Sequence, residues 1–212
     1  MPREVRWIAD TGFLLSFGAI ANGLDHLSRV FGGAIGSPPA VKAELVRISA
    51  DSKHAADTKD AASKFLGKRS GFLIDEPLLH QDVPERDAVL DHLNKGTLPT
   101  TPASTGPWEA EDPMVVGRPT ITLGEDAGEA ESIAVCVRTR LPLLLNEQPA
   151  TKYAERRDLD VEPAAAALRR LGPAITPKQM YGLYRQMTKV NDGGVPAVTG
   201  YLWFTQPPTA KL

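Results

Sequence analysis

The 212-residue sequence contains a single cysteine, Cys136, so no disulfide can form within the chain and no zinc site can be built from cysteines. No apolar run approaches the roughly 20 residues that a helix needs to span a bilayer, which excludes a membrane-spanning protein. The residues before Asp10 lack the apolar stretch of a signal peptide. Together these absences predict a cytoplasmic protein with no membrane partner.

An excess of one charge sign is also missing, because 24 basic and 26 acidic residues leave a net charge of −2. A protein that coats nucleic acid through bulk positive charge is therefore excluded, although local binding is not. The charges are nevertheless segregated, with thirteen acidic and three basic residues in 71–132 and eight basic and four acidic residues in 150–190. This pattern fits either a cation site beside a phosphate-binding flank or acidic loops that are simply solvated.

Short apolar segments alternate with helical patterns along the chain. Residues 5–10 are typical of a buried strand, and residues 141–145 form a second, strongly apolar strand. This alternation predicts an α/β protein with helices around a mostly parallel sheet. Residues 96–120 contain five prolines among Thr, Ser and Gly, so we predict a loop there. The aromatic tail at 197–205 favours a final strand.

Asp10 and Glu44 are acidic residues in unusual positions. Asp10 ends the first strand, where open α/β sheets bind their ligands, and the alternative is a cap for the following helix. Glu44 lies on the helix face formed by Val41, Leu45 and Ile48, which should face the core. A buried carboxylate needs a partner, so Glu44 requires an arginine, a proton or a metal.

Glu129 is a third acidic residue of this kind. It borders the apolar face of a helix that begins at Asp126, and the alternative interpretation of the two residues is a capping box. Glu131, two residues further along, is predicted to point to the opposite side and to be solvated.

Four segments resemble, in order, the motifs of the PIN-domain family. Asp-Thr-Gly-Phe-Leu-Leu at 10–15 follows the first strand, and Ser-Pro-Pro-Ala-Val-Lys-Ala-Glu-Leu at 37–45 carries the second acidic residue. Gly-Glu-Ala-Glu-Ser-Ile-Ala at 128–134 is similar to the third motif, and Leu-Leu-Leu-Asn-Glu at 143–147 to the fourth. The PIN family consists of metal-dependent nucleases, chiefly ribonucleases, and many are toxins of toxin–antitoxin pairs.

The resemblance implies a three-layer α/β/α sandwich with a short, mostly parallel central sheet. Residues 1–162 would form the PIN-like domain, with an insertion at about 51–118 that includes the proline-rich loop. Residues 163–212 would form a C-terminal helix–strand extension packed on that domain.

The resemblance also implies an endoribonuclease that hydrolyses RNA phosphodiesters, of toxin or defence type, with Mg²⁺ or Mn²⁺ as cofactor. RNA is the expected substrate, and an antitoxin or a second copy of the chain is an expected partner. The implied catalytic residues are Asp10, Glu44 and Glu129, which would also bind the metal together with Asn146. The implied auxiliary residues are Thr11, Asp126 and Glu147, and those for the RNA backbone are Lys152, Arg156 and Arg157.

The fourth motif departs from the family pattern, because Asn146 stands where a carboxylate is expected. Adjacent strand residues point to opposite faces, so Glu147 is expected to replace it poorly. An amide contributes a neutral oxygen, which predicts one divalent ion and slow or no cleavage. Two alternatives follow: a PIN-like module that binds or regulates without catalysis, and an unrelated α/β binding domain.

Overall fold

The computed structural model describes residues 4–32, 35–67, 73–95, 126–190, 197–198 and 200–206. The predicted loop at 96–120 lies outside these residues, as does the end of the predicted insertion at 118. Within the described part of the chain, no helix is long and apolar enough to cross a membrane.

A five-stranded sheet lies at the centre of the described chain, and all of its paired strands are parallel. Its order is β3-β2-β1-β4-β5. The order reverses at β1, since the chain adds β2 and β3 on one side of it and β4 and β5 on the other. In open α/β sheets, ligands bind in the crevice at the carboxyl ends of the strands where this reversal occurs. The strands are β1 (Trp7–Ala9), β2 (Ile35–Ser37), β3 (Leu73–Asp75), β4 (Leu143–Leu144) and β5 (Val161–Glu162).

Nine α-helices connect or follow these strands in the residues that the structure describes. They are α1 (Thr11–Gly18), α2 (Gly23–Phe31), α3 (Pro39–Ala50), α4 (Ala56–Leu66), α5 (Val83–Lys95), α6 (Ala127–Thr139), α7 (Gln148–Arg156), α8 (Ala164–Arg169) and α9 (Pro177–Met187). Short 3₁₀ turns occur at His80–Asp82, Gly172–Ala174 and Tyr201–Thr205.

Helices cover both faces of the sheet, because successive strand residues point to opposite sides. Ile8 and Leu143 pack into one apolar cluster with α5, α6 and α7. Ala9 and Leu144 pack into a second cluster, which contains residues of α1–α4, α8 and α9. The α/β class predicted from the sequence is thus confirmed, and the layering is compatible with a three-layer sandwich.

The C-terminal segment differs from the prediction of a final strand. Residues Tyr201–Thr205 form a 3₁₀ turn instead, in which the Trp203 N–H donates to the Gly200 carbonyl over 3.1 Å. Trp203 and Phe204 are buried, and the ring of Trp203 stacks on the guanidinium of Arg169. Two of the three aromatic residues that suggested a strand, Trp203 and Phe204, therefore fill the core beside α8 and α9, while Tyr201 is exposed.

Candidate functional site

Asp10 is a buried carboxylate at the carboxyl end of β1. Its N–H donates to the Leu144 carbonyl over 3.1 Å, so it lies beside the end of β4 at the crevice between the two strands. Its side chain caps α1, because it accepts hydrogen bonds from the N–H groups of Phe13 (2.8 Å) and Gly12 (3.2 Å). The capping alternative is therefore correct, but it does not exclude a functional role, since a carboxylate has about four acceptor positions.

The protonation of Asp10 is strongly perturbed. The pKa of Asp10 is raised to about 8, mainly by complete burial and also by the charges of Glu147 and Glu44, against the opposing hydrogen bond from Phe13. Burial alone disfavours the charged form of a carboxylate, and the two acidic neighbours add to that effect.

Glu44 lies on α3 and is buried, as its place on the apolar face predicts. Its partners are not arginine side chains: one carboxylate oxygen accepts from the Thr11 hydroxyl in a short hydrogen bond, and the other accepts from the Gly128 N–H over 3.0 Å. Burial raises the pKa of Glu44, and these two hydrogen bonds oppose the rise. Glu44 thus joins the first turn of α1 to the first turn of α6.

Gly128 allows this contact because it has no side chain. A Cβ atom at this position would lie 2.5 Å from the Glu44 carboxylate and 3.0 Å from the Thr11 hydroxyl. A larger residue here would force the Glu44 carboxylate to move. Gly128 therefore allows the close approach of α3 to α6.

Glu129 follows Gly128 in the first turn of α6 and is only 6% exposed. Among the described residues, its Oε2 atom has no hydrogen-bond partner. Burial, followed by the charges of Asp10, Glu44 and Glu147, raises the pKa of Glu129 well above its usual range. A buried, unpartnered carboxylate oxygen next to other carboxylates is the arrangement that a cation would stabilise.

The capping box that was the alternative interpretation of Asp126 and Glu129 does not form at the start of α6. Asp126 is the N-cap residue, but its side chain makes no capping hydrogen bond to the described first turn. The cap comes from α3 instead, through the contact between Glu44 and the Gly128 N–H. The charge of Asp126 raises the pKa values of Glu44 and Glu147, so Asp126 belongs to the edge of the same acidic group.

Asn146 and Glu147 follow the end of β4. Asn146 is buried, donates through Nδ2 to the Ser16 hydroxyl (2.8 Å) and accepts at Oδ1 from the Ala164 N–H (2.9 Å). It therefore joins the sheet to α1 and to the start of α8. A metal bound to Asn146, as predicted, would have to share the Oδ1 atom with the Ala164 N–H.

The charge of Glu147 acts on the acidic group, and how well Glu147 replaces a carboxylate at position 146 stays a prediction. Its charge raises the pKa values of both Asp10 and Glu129. The strand β4 ends at Leu144, so the alternation of side chains in a strand does not extend to residues 146 and 147. Desolvation, followed by the charge of Asp126, raises the pKa of Glu147 as well.

Glu131 was expected to be solvated, and that expectation is also wrong, since only 1% of it is exposed. Its Oε2 atom accepts from the Ala40 N–H over 2.8 Å at the start of α3. A signal for this contact exists in the sequence, because Pro38 and Pro39 lack N–H groups and leave Ala40 with the first donor of that helix. Glu131 and Glu44 therefore cap each other's helices.

The three basic residues predicted to hold RNA have different surroundings. Lys152 and Arg156 are exposed on α7. Arg157 is paired instead with Glu85 of α5, to which its Nε donates over 2.6 Å, and the Tyr153 hydroxyl donates to the same carboxylate over 2.9 Å. Arg157 thus joins α5 to the end of α7, and its predicted RNA contact would compete with this ion pair.

The acidic residues of the site offer carboxylate oxygens, which are the charged ligands that a hard divalent cation prefers. Within the described ranges, no three His, Cys, Asp or Glu side chains stand in an arrangement that could hold a metal ion. Mg²⁺, however, usually keeps several waters and is held by one or two carboxylates together with substrate phosphates. Asp10 and Glu129 are the two buried carboxylates that could meet this smaller requirement, and the Oε2 atom of Glu129 has no hydrogen-bond partner among the described residues.

Comparisons of the chain with protein-family profiles, with curated proteins and with solved structures find no match. The candidate site therefore rests on the buried carboxylates themselves: the charges of Asp10, Glu44 and Glu147 act on Glu129, and Asp10 lies at the reversal point of a parallel sheet.

Proposed function

We propose that the protein is a PIN-like, divalent-metal-dependent endoribonuclease. The observation that carries the proposal is Glu129, whose buried Oε2 atom has no hydrogen-bond partner among the described residues and lies under the influence of three further carboxylates. The site's position at the carboxyl ends of β1 and β4 supports it, because open α/β sheets bind ligands there. The four sequence segments that resemble PIN motifs supply the reaction class.

Asp10 and Glu129 would hold the cation, and each residue around them has a separate task. Mg²⁺ or Mn²⁺ bound there would lower the pKa of a water molecule and neutralise charge on the phosphate. Glu147, which is exposed, would face the incoming RNA at the edge of the group. The exposed residues Lys152 and Arg156 could contact the RNA backbone, since phosphate contacts from such cations position a nucleic acid without reading its sequence.

The direct test is Mn²⁺ titration by calorimetry, followed by cleavage of a mixed RNA pool. Asp10→Asn and Glu129→Gln should each abolish most of the Mn²⁺ binding, the metal-dependent rise in melting temperature, and any cleavage. Glu131→Gln is the matched control, because Glu131 lies two residues from Glu129 on the same helix and is equally buried. Its amide oxygen can still accept from the Ala40 N–H, so we expect wild-type binding.

Two results would contradict the proposal. Wild-type protein that binds no Mn²⁺ would exclude a metal-dependent enzyme. Mn²⁺ binding that survives in both Asp10→Asn and Glu129→Gln would mean that the metal lies elsewhere.

A second candidate function is a PIN-like module that binds RNA or a regulatory partner without cleaving it. Asn146 favours this candidate, because it replaces a carboxylate and both ends of its amide are already hydrogen-bonded. RNA binding by gel shift together with no cleavage at saturating Mn²⁺ would select it over the nuclease. A toxin role, an antitoxin partner, a homodimer and a cytoplasmic location stay predictions under either candidate.

A further inference from the structure

We infer that Glu44 is a positioning residue and not a metal ligand: it fixes the spacing of Asp10 and Glu129 by holding their chain neighbours. The consequence for metal binding rests on the proposed function. The contact itself does not, because it is a property of the metal-free protein.

Each of the two Glu44 oxygens accepts a hydrogen bond from a different helix. Oε2 accepts from the hydroxyl of Thr11, which is the residue after Asp10, and Oε1 accepts from the N–H of Gly128, which is the residue before Glu129. One carboxylate thus connects the side chain of Thr11 with the backbone of Gly128, and each of these residues is next to a candidate ligand. Separation of the first turn of α1 from that of α6 would stretch these hydrogen bonds.

The occupancy of the oxygens separates Glu44 from Glu129. Both Glu44 oxygens receive a donor inside the protein, whereas Oε2 of Glu129 has none in the described part of the chain. A cation bound to Glu44 would compete with donors from two different helices, α1 and α6, whereas both donors to Asp10 belong to the helix that Asp10 itself caps. Glu129 is therefore available to a metal, and Glu44 is engaged in holding the two helices.

The lack of a side chain at Gly128 belongs to the same close contact. The position leaves no room for a Cβ atom, which would lie 2.5 Å from Oε2 of Glu44 and 3.0 Å from the Thr11 hydroxyl. The three groups are thus packed against one another as well as hydrogen-bonded.

The first arm of the test is amide exchange in the metal-free protein. N–H groups in the first turn of a helix have no partner within the helix, so exchange at Gly128 reports on its contact with Glu44. Thr11→Val has the same shape without the hydroxyl, and it should speed exchange at Gly128 by about five- to tenfold because Glu44 is held from one side only. Thr11→Ser keeps the hydroxyl and should restore the wild-type rate. Ser37→Ala is the matched control, since it removes a buried hydroxyl that has no partner among the described residues.

The second arm is Mn²⁺ affinity of the same proteins by calorimetry. Thr11→Val and Glu44→Gln should each weaken binding by roughly tenfold, as loss of an outer partner of a metal ligand does. The double variant should bind no more weakly than the weaker single one, because both changes break the same connection. Thr11→Ser should again match the wild type, which a general loss of packing would not produce.

Each result has a defined meaning. Unchanged exchange at Gly128 in Thr11→Val would overturn the inference, because the two helix ends would then not be linked through Glu44. Faster exchange with unchanged Mn²⁺ affinity in Thr11→Val, together with lost affinity in Glu44→Gln, would also overturn it and make Glu44 a direct ligand. A wild type that binds no Mn²⁺ would contradict the proposed function, while the exchange arm would still decide whether Glu44 links α1 to α6.

Discussion

Removal of the Asp10 charge should stabilise the metal-free protein at alkaline pH. Burial raises the pKa of Asp10 to about 8, against a usual value of 3.8 in the unfolded chain. Between these two values the folded protein binds a proton that the unfolded chain releases, so the free energy of unfolding falls as pH rises. The stability linked to this proton is complete below pH 3.8 and is lost as pH rises through about 8.

The size of the effect follows from the same values. Each pH unit in this window corresponds to about 1.4 kcal/mol for one proton, so the wild type should lose about 3 to 4 kcal/mol between pH 5 and pH 8. Asn is as good an N-cap as Asp, but its amide accepts only through one oxygen, which costs about 1 kcal/mol at Phe13 or Gly12. Asp10→Asn should therefore be slightly less stable than the wild type at pH 5 and about 2 to 3 kcal/mol more stable at pH 8.

Urea denaturation of metal-free protein at both pH values measures this difference. Asp57→Asn is a suitable control, because it removes a carboxylate from an exposed position in α4, and its difference from the wild type should stay nearly constant. An Asp10→Asn variant that is destabilised equally at pH 5 and pH 8 would refute the reasoning. Asp10 would then be ionised throughout this range, and its hydrogen bonds to α1 would outweigh burial and repulsion.

Three further predictions concern packing around the site, and urea denaturation checks each of them. Gly128→Ala should lower the free energy of unfolding by about 1 to 3 kcal/mol, because the new methyl group collides with Glu44; no loss would mean that the two helices can separate freely. Glu131→Ala should cost about 1 kcal/mol or more by removing the cap of α3, with Glu131→Gln close to the wild type; equal losses in both would point to charge and not to the cap. Glu85→Ala should cost about 1 to 3 kcal/mol by leaving Arg157 without its carboxylate, and a neutral result would make Arg157 available for RNA.

The parts of the fold that the sequence predicts are those that depend on local pattern. The apolar runs at 5–10 and 141–145 predict buried strands, because a strand of a parallel sheet is covered by helices on both faces and its sequence is therefore almost continuously apolar. The burial of Glu44 is also predictable, because the spacing of its apolar neighbours places it on the core-facing side of a helix. Helical periodicity thus predicts burial, but it does not identify the partner, and the hydrogen bonds to Glu44 come from a hydroxyl and an N–H group, not from the arginine that was one alternative.

The remaining features depend on contacts between residues far apart in the chain. Glu131 was expected to be solvated because a helix viewed alone has one apolar face, yet α6 also touches α3 on the side where Glu131 lies. The tail at Tyr201–Thr205 has β-favouring residues, but β propensity reflects packing on a pleated surface, and these residues pack against α9 in a 3₁₀ turn instead. Long-range packing overrides the local preference in both places.

Asn146→Asp is an informative replacement, because it should lower the stability of the metal-free protein and at the same time strengthen Mn²⁺ binding. In Asn146→Asp, one oxygen keeps the hydrogen bond from the Ala164 N–H, but the donor to the Ser16 hydroxyl is lost. Ser16 already donates to the Gly12 carbonyl over 2.9 Å, so it must give up that bond to satisfy the new carboxylate. Residue 146 also follows β4, whose end is hydrogen-bonded to Asp10, so the added charge lies at the same crevice.

We therefore expect Asn146→Asp to destabilise the metal-free protein by about 1 to 3 kcal/mol at pH 8. At pH 5 the new carboxyl group should be protonated and able to donate to Ser16, so most of this loss should disappear. Added Mn²⁺ should reverse the loss at pH 8 and bind more tightly than to the wild type, with faster cleavage if the protein is a nuclease. Glu147→Ala should weaken Mn²⁺ binding, because Glu147 acts on Asp10 and Glu129 directly. If Asn146→Asp is equally stable at both pH values and binds Mn²⁺ no more tightly, residue 146 is electrically separate from the acidic group, and its role is confined to joining β4 to α1 and α8.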